Sequence, residues 1–365
     1  MKNIVLFGGS FDPIHNGHIN MAKEAQKALG GANNCEIIFI PNRVSVWKNQ
    51  SIDPIHKINM ITLAIKDYRG FSLSTFELDS FEENYTHITV KHFKDIYQNK
   101  ANLYLLIGQD QVDSFHKWKK VDEIVEHVKV IYYRRDKNNE PNQENINKFN
   151  MEEIKGDAIY EVSSFEMRGL HNLNTPRIVL SYISDHDLYY MDKIKKYVDE
   201  KRFEHMKSVA LLAYDIAKSN KKDDPQKYYI AGLLHDVGKI VSDDNAKMIE
   251  TIYKQYMPLD IKLYHQFISM IIAKEDFGIL DEDILEAIEF HATGKANMND
   301  IAKVVYASDK IDPLRGYDSR DMIEAMKRNI DDGFVYVLKE NKIHLTNKGR
   351  DIDNKLTEEC FNYYL

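Results

Sequence analysis

The sequence predicts an α/β domain on a parallel sheet, followed by an all-α domain. Three observations carry this. In the first half, short apolar runs of strand type alternate with helical, amphipathic stretches, and that alternation is the pattern of βαβ units. Beyond about residue 190 the strand-type runs stop and helical periodicity takes over. The length, 365 residues, suits about two domains. We expect the boundary between them at 190/191, giving domains 1–190 and 191–365.

The elements follow in order. Ile4-Val5-Leu6-Phe7 reads as a buried strand. A Gly/Pro/His turn comes next, then a helix with Ile19, Ala22, Ala25 and Leu29 on one face. Ile37 to Ile40 is a second strand, stopped by Pro41-Asn42. Residues 54–66 carry Ile55, Ile58, Ile61 and Ile65 at helical spacing. Leu103 to Ile107, ending at Gly108, is a third strand, and Val128–Tyr133 and Ala158–Val162 are two more. The polar, Asn-rich stretch 134–150 reads as a surface loop. In the second half, 204–219, 226–238, 243–256, 261–275 and 281–291 read as helices. Ligands of parallel α/β sheets sit at the carboxyl ends of the strands, so the segments after these strands are where chemistry is expected.

Composition narrows the function classes. Apolar residues make up 43% and charged residues 29%, with a net charge of −8. These are globular values, and the acidic balance gives no support to nucleic-acid or membrane-surface binding. Cys35 and Cys360 lie far apart, in no metal or redox spacing. Reduced thiols and a cytoplasmic location are the expectation. Only a short apolar run precedes Gly8-Gly9, less than a signal-peptide core needs, and no stretch approaches a membrane span.

The first chemical constellation is Gly8-Gly9-Ser10-Phe11-Asp12-Pro13-Ile14-His15-Asn16-Gly17-His18, between the first strand and the first helix. Two glycines let the backbone approach a phosphate, and the helix start behind them offers unpaired N–H groups and a positive dipole end. His15 and His18, three residues apart, can face one side of that turn. Together these groups make a cradle able to stabilise a pentavalent phosphorus. A lone Gly-Gly pair would more simply be a tight turn; the full string argues for the cradle.

This string resembles the His-X-Gly-His nucleotidyltransferases, and the chain from about 1 to 190 resembles the nicotinate-nucleotide adenylyltransferase family. Ser10 stands where that family has Thr. The segment Pro41–Lys48 resembles its substrate loop, keeping Lys48 but with Trp47 in place of the His. His56 and Met60 match its next helix, and Tyr85-Thr86 its Ser-Tyr-Thr segment. Gly108-Gln109-Asp110 matches its Gly-X-Asp, and Lys117-Trp118 its Lys-Trp pair. Ser163-Ser164-Phe165-Glu166-Met167-Arg168 is similar to its Ser-Ser-Thr-X-Ile-Arg, with Phe165 replacing the Thr.

The resemblance implies a Rossmann-like fold. It also implies adenylyl transfer from ATP, with Mg²⁺ on the triphosphate, to nicotinate mononucleotide. Gly8, Gly9, Ser10, Phe11, His18, Gly108, Asp110, Ser163, Ser164 and Arg168 are then expected at ATP, and Lys48, Tyr85, Thr86 and Trp118 at the mononucleotide. His18 is expected at the transferred phosphoryl group and His15 at the outer phosphates. Other readings remain for single residues: Asp110 as a helix cap, Ser163 as a capping box with Glu166, Trp118 as a core residue. Trp47 leaves open another acceptor, nicotinamide mononucleotide or phosphopantetheine.

The second constellation is Leu233-Leu234-His235-Asp236-Val237-Gly238-Lys239 at the end of an apolar helix, with His205 upstream and His265, His291 and Asp309 downstream. Each of these falls on a different expected helix. Six N/O ligands suit a dinuclear centre of iron, manganese or another divalent metal. The glycine of His291-Ala292-Thr293-Gly294-Lys295 permits close phosphate approach.

Residues 195–340 resemble the HD-domain phosphohydrolases, most closely the bacterial symmetrical diadenosine tetraphosphate hydrolases. The matching residues are Arg202-Phe203-Glu204-His205, Ala231–Lys239, His265, His291-Ala292-Thr293-Gly294 and Ala307–Pro313, with Ser208 where that family has Arg. The resemblance implies metal-assisted hydrolysis of diadenosine tetraphosphate to two ADP. Asp236 is expected to be catalytic as well as a ligand, and Lys239, Thr293, Gly294 and Arg315 to hold phosphates. A nucleotide-sensing regulatory module is the alternative for this half. Self-association into a homo-oligomer is compatible with either reading.

Overall fold

The structure is a computed structural model describing residues 1–43, 52–79, 85–98, 100–134, 140–156, 162–347 and 354–365. By its contacts the chain divides into two units. One is Met1–Arg168 with Asn172–Asp185; the other is Gly169–His171 with His186–Leu365.

The first unit runs β1 (Lys2–Gly9), α1 (Asn16–Ala28), β2 (Cys35–Pro41), α2 (Pro54–Ile65), β3 (Phe71–Leu73), α3 (Phe76–Asp79), α4 (Thr86–Tyr97), β4 (Ala101–Gly108) and α5 (Gln109–Val112). It continues with α6 (Val121–His127), β5 (Lys129–Tyr133), α7 (Gln143–Lys148), β6 (Glu152–Ile154), α8 (Ser164–Arg168) and α9 (Arg177–Asp185). All strand pairings are parallel, in the order β3-β2-β1-β4-β5-β6. Ile4, Val5, Leu6, Ile37, Phe39, Ile40 and Leu106 are essentially inaccessible. A parallel sheet covered on both faces needs such unbroken apolar runs. The strand order reverses direction between β1 and β4, where Leu6 pairs with Leu105. Ligand crevices of open α/β sheets form at that switch point, and here Gly8-Gly9 and Gly108 end the two strands.

Two parts of this unit differ from the sequence reading. The stretch 134–150 contains helix α7, capped by the Asn142 side chain accepting from the Asn145 N–H at 2.9 Å. The Asn residues that suggested a loop are caps and anchors: the Asn145 amide donates to the Val112 carbonyl at 2.8 Å. The last strand is β6, paired with β5; of the run expected over 158–162, residues 158–161 lie outside the described residues.

The second unit is helical: α10 (Tyr190–Ile194), α11 (Glu200–Ser219), α12 (Pro225–Leu234), α13 (Asp243–Ile252), α14 (His265–Glu275), α15 (Glu282–Glu289), α16 (Asp300–Ile311), α17 (Arg320–Arg328), α18 (Ile330–Asn347) and α19 (Lys355–Tyr364). No strand occurs among its described residues. Asp199 caps α11 and Asn299 caps α16. Helix α12 ends at Leu234, so His235 and Asp236 sit in the turn after it and not on the helix. No helix among the described residues is long and apolar enough to cross a membrane.

Candidate active sites

The first site lies at the switch point. A cavity of about 300 Å³ is lined by Gly8, Gly9, Ser10, His15, His18, Gly108, Asp110, Gln111, Ser163, Ser164, Phe165 and Arg168, among others. Ten residues expected at ATP or its phosphates from the sequence are therefore brought together. The backbone of the turn is held by three side chains in succession. Arg168 Nη1 donates to the Asp12 carbonyl at 2.6 Å, Ser164 Oγ to Pro13 at 2.9 Å and Thr175 Oγ1 to Ile14 at 2.8 Å. This explains why the β1–α1 turn and the segment around α8, far apart in sequence, act as one site.

The two imidazoles are stacked, with centroids 3.6 Å apart and planes at 26°. The His15 backbone N–H donates to His18 Nδ1 at 3.3 Å. An accepting Nδ1 carries no proton, so in this arrangement His18 is neutral and its Nε2–H is the donor. Gly17 makes the stack possible, because a Cβ there would lie 3.0 Å from His15 Nδ1. Ser163 forms the capping box with Glu166, its N–H and Oγ both donating to Glu166 Oε2 at 2.8 and 2.7 Å. Capping and cavity lining are compatible here: the box orders the start of α8 while Ser163 and Ser164 face the cavity.

A second cavity of about 200 Å³ adjoins the first through Gly8, Gly9 and Gln111, and Thr86 and Trp118 line it. Trp118 packs against Phe115 at 4.9 Å, so its ring is fixed by core contact yet borders the pocket. Glu77, which the motifs did not single out, also lines this pocket. It is buried, which pushes its pKa up, while Thr89 Oγ1 donates to it at 2.6 Å. Lys57 was likewise missed. It is 1% exposed, and burial lowers its pKa against the attraction of Asp12. No residue-type signal separates Lys57 from the surface lysines of a helix.

Two expectations for this site are corrected. Phe11 does not line the cavity: its ring is fully buried, 4.9 Å from His18 and edge-on to Phe7 at 5.3 Å. It supports the floor, and its φ of +44° belongs to the tight turn. Tyr85 does not line the neighbouring pocket either; it precedes α4, with Lys119 Nζ 3.8 Å from its ring centroid. Lys48 and Trp47 lie outside the described residues.

The second site gathers His205, His235, Asp236, His265, His291 and Asp309, all of them buried. His205, His235 and Asp236 form one group of closely spaced ligand atoms, and Asp236, His265 and His291 another. Asp236 belongs to both. Its Oδ1 lies 3.0 Å from His265 Nε2 and 3.3 Å from His291 Nε2. Asp309 Oδ1 lies 3.0 Å from His205 Nε2 and 3.7 Å from His235 Nε2.

The outer nitrogens explain the orientation. His235, His265 and His291 each pair Nδ1 with the carbonyl three residues earlier: Gly232 at 2.7 Å, Lys262 at 2.6 Å and Ile288 at 2.8 Å. For His235 and His291 these are carbonyls of a helix's last turn, which lack an intrahelical partner. His205 lies inside α11, where carbonyls are already used, and pairs instead with Asp312 Oδ2 at 2.6 Å. A carbonyl acceptor at Nδ1 of His235, His265 and His291 places the proton there and turns three Nε2 lone pairs inward, whereas His205 faces a carboxylate at both nitrogens, Asp312 and Asp309. His265 and His291 Nε2 are only 3.1 Å apart, a contact between two lone pairs. His235 Nε2 and Asp236 Oδ1 are buried without a hydrogen-bond partner. Such a donor set fits divalent cations, with the Nδ1 partners as the outer support.

Local charge follows the same geometry. Burial opposes ionisation of Asp236, yet its carboxyl is held well below the usual range, and Arg202 Nη1 lies 2.6 Å from its Oδ2. Burial lowers the His291 pKa to about 3, keeping that ring neutral. Gly238 lets the turn close on α14: a Cβ there would lie 2.5 Å from the Ser269 backbone nitrogen. Its N–H donates to Ser269 Oγ at 2.9 Å.

The cluster opens into a cavity of about 640 Å³ whose cations are Arg202, Lys239, Lys262, Lys310 and Arg315. Lys239, expected at phosphate, is there. Thr293 and Gly294 are not. The Thr293 hydroxyl lies 3.2 Å from Gln266 Oε1 and 2.9 Å from the Gly294 carbonyl oxygen, and a Cβ on Gly294 would meet Cys360 Sγ at 2.6 Å. This glycine serves a left-handed turn, φ +70°, packed under α19. Ser208, in the position of the related family's Arg, donates to Asp312 Oδ1 at 2.5 Å. It thus steadies the partner of His205.

Comparison with known proteins agrees with both halves. Residues 6–170 match the cytidylyltransferase-like family model and residues 202–314 the HD domain model. A Staphylococcus epidermidis protein described as a probable nicotinate-nucleotide adenylyltransferase is 34% identical over 196 residues, which are 52% of this chain and 97% of that protein. The chain belongs to the nicotinate-nucleotide adenylyltransferase family. A Mycoplasma genitalium protein described as a probable nicotinate-nucleotide adenylyltransferase/Ap4A hydrolase is 29% identical over 347 residues, covering 93% of this chain and 97% of its own length. A solved Clostridium acetobutylicum structure, described as a predicted HD superfamily hydrolase involved in NAD metabolism, is 30% identical, with a TM-score of 0.42 over 47% of this chain and 95% of that one.

Proposed function

We propose that this chain is a bifunctional enzyme: a nicotinate-nucleotide adenylyltransferase in its first unit and a metal-dependent phosphohydrolase, acting on diadenosine tetraphosphate, in its second. The observation that carries this reading is that each motif set collects in its own cavity, one rich in phosphate donors and the other a cluster of inward lone pairs.

In the transferase, the phosphate of the mononucleotide attacks the α-phosphorus of ATP in line, and pyrophosphate leaves. No protein nucleophile is needed, so catalysis is positioning and charge stabilisation. His18 Nε2–H donates to the transferred phosphoryl group as charge builds on it. His15, stacked behind it, orients that ring and adds to the outer-phosphate side. Arg168, one N–H of which holds the Asp12 carbonyl, keeps four further donors for the triphosphate. Mg²⁺ enters with ATP and is held mainly by ligand oxygens and water. Trp118 stacks on the pyridine ring beside Thr86, and Lys48 adds charge near the mononucleotide.

In the hydrolase, His205, His235, Asp236, His265, His291 and Asp309 hold two divalent cations, iron or manganese by their mixed N/O donors. When bound, such a pair draws charge off the phosphate and makes water acidic enough to attack at neutral pH. Asp236 fixes the spacing of the two ligand groups because it belongs to both. Lys239, Arg202 and Arg315 take the flanking phosphates. Two buried free thiols, Cys35 and Cys360, and ATP as substrate support action in the cytoplasm.

The test assays both reactions on the full chain. His18→Ala lowers adenylyl transfer about 10²–10³-fold while diadenosine tetraphosphate hydrolysis persists; His235→Ala abolishes hydrolysis while transfer persists. Loss of both activities in either folded variant would contradict the two-site assignment.

A further inference from the structure

The cavity beside the His/Asp cluster has a neighbour. A second cavity of about 430 Å³ shares Lys310, Arg315, Asn341 and His344 with it, so the two adjoin. The motifs reach only its edge, at Lys310, Ile311 and Arg315; its other walls come from the segment after α16, from α17 and from α18.

Its chemistry is graded. The cations, Lys310 and Arg315, lie on the shared side. The residues proper to this cavity are apolar or aromatic, Ile311, Tyr317, Met322 and Val337, with two carboxylates, Asp318 and Glu340. Tyr317 is 47% exposed, and its hydroxyl donates to the Lys310 carbonyl, which holds the ring beside the cation. A ligand matching this gradient has an anionic end at Lys310 and Arg315. Its other end is flat and uncharged and carries hydroxyl or amine donors for Glu340. That describes a nucleoside joined to phosphate: an aromatic base for Tyr317, sugar hydroxyls for Glu340. Inorganic polyphosphate alone would leave the apolar wall and Glu340 unmatched, Asp318 being already paired with Arg320.

The cavity beside the His/Asp cluster carries an apolar surface of its own, at Val241, Ile261 and Leu263. Two apolar seats and one cationic stretch beside the cluster suit a ligand with a nucleoside at each end of a polyphosphate.

We propose that the cavity bounded by Tyr317, Met322 and Val337 is a nucleoside seat, taking one of the two nucleosides of a dinucleoside polyphosphate while its phosphates run past Arg315 and Lys310 to the metal ligands. This rests on the phosphohydrolase reading above. Lys310 and Arg315 both pair with Asp309, so the seat is tied to the cluster through a proposed ligand and sets which phosphate lies there.

The experiment compares kcat/KM for diadenosine tetraphosphate with that for inorganic tetraphosphate, on the metal-loaded full chain. In the wild type the dinucleoside is preferred. Tyr317→Ala and, separately, Met322→Trp, which fills the cavity, each lower that preference at least tenfold, carried by KM. Metal content is measured alongside to show that each variant remains folded around its cluster. A preference unchanged in both metal-replete variants overturns the seat. So does a wild type that cleaves inorganic tetraphosphate as efficiently as the dinucleoside, and that result leaves the phosphohydrolase standing. A wild type that cleaves neither compound overturns both.

Discussion

The two sites present opposite chemistry. Around His18, the fold presents donors: backbone N–H groups at a helix start, one imidazole N–H, serine hydroxyls and a guanidinium, held in place by side-chain hydrogen bonds to the turn. Around Asp236, the fold presents acceptors: imidazole lone pairs and carboxylate oxygens within about 3 Å of each other. The first site is assembled by hydrogen bonds and ring packing. The second is electrostatically incomplete, because lone pairs that close repel unless a cation lies between them. The contrast teaches that the transferase pocket should tolerate loss of resident metal, whereas the hydrolase pocket should depend on it for both activity and local stability.

The largest effect expected after loss of a ligand itself comes from the outer support. Asp312→Asn leaves His205 in place but removes the carboxylate at Nδ1, and should weaken metal affinity about 10–100-fold. A metal titration followed by hydrolysis rate reads this, and transfer should not change with it. If affinity stays at the wild-type level, the oriented-lone-pair account of the cluster is wrong.

In the transferase, Arg168→Lys keeps the charge but not the fork that spans the Asp12 carbonyl and phosphate. We expect about a tenfold loss of kcat/KM for ATP, with hydrolysis unaffected. An equal loss in both reactions would show that this segment supports more than the first site.

The smallest expected effect is a pH dependence. Burial raises the Glu77 pKa, so the native state binds the proton more tightly than the unfolded chain does. Stability from this group is therefore present below the unfolded carboxyl value and falls as pH rises through the raised native value. Glu77→Gln should raise the thermal midpoint at about pH 7.5 and lose that advantage at about pH 4. An advantage equal at both pH values would point to packing and not ionisation.

Much of this contrast was legible in the sequence because each site is carried by short motifs. Gly8 to His18 encode strand end, turn and helix start in eleven residues, and His235 and His291 sit just past helix ends whose carbonyls orient them. The errors have a common origin in glycine and aromatic residues that serve packing. Gly294 has the signature of a phosphate-approach glycine, yet its left-handed turn exists to clear Cys360. Phe11, inside the phosphate motif, supports His18 from below. Strands β3 and β6 have three residues each, too few for a period to show. Asn341 and His344 were invisible because a long helix outside the motifs carries them into the cavity.

The most direct test of the contrast is divalent metal per chain, measured on the purified wild type, His18→Ala and His235→Ala. We predict about two equivalents in the wild type, the same in His18→Ala, and a loss in His235→Ala. Metal lost from His18→Ala, or retained in full by His235→Ala, would contradict the division into one donor site and one acceptor site.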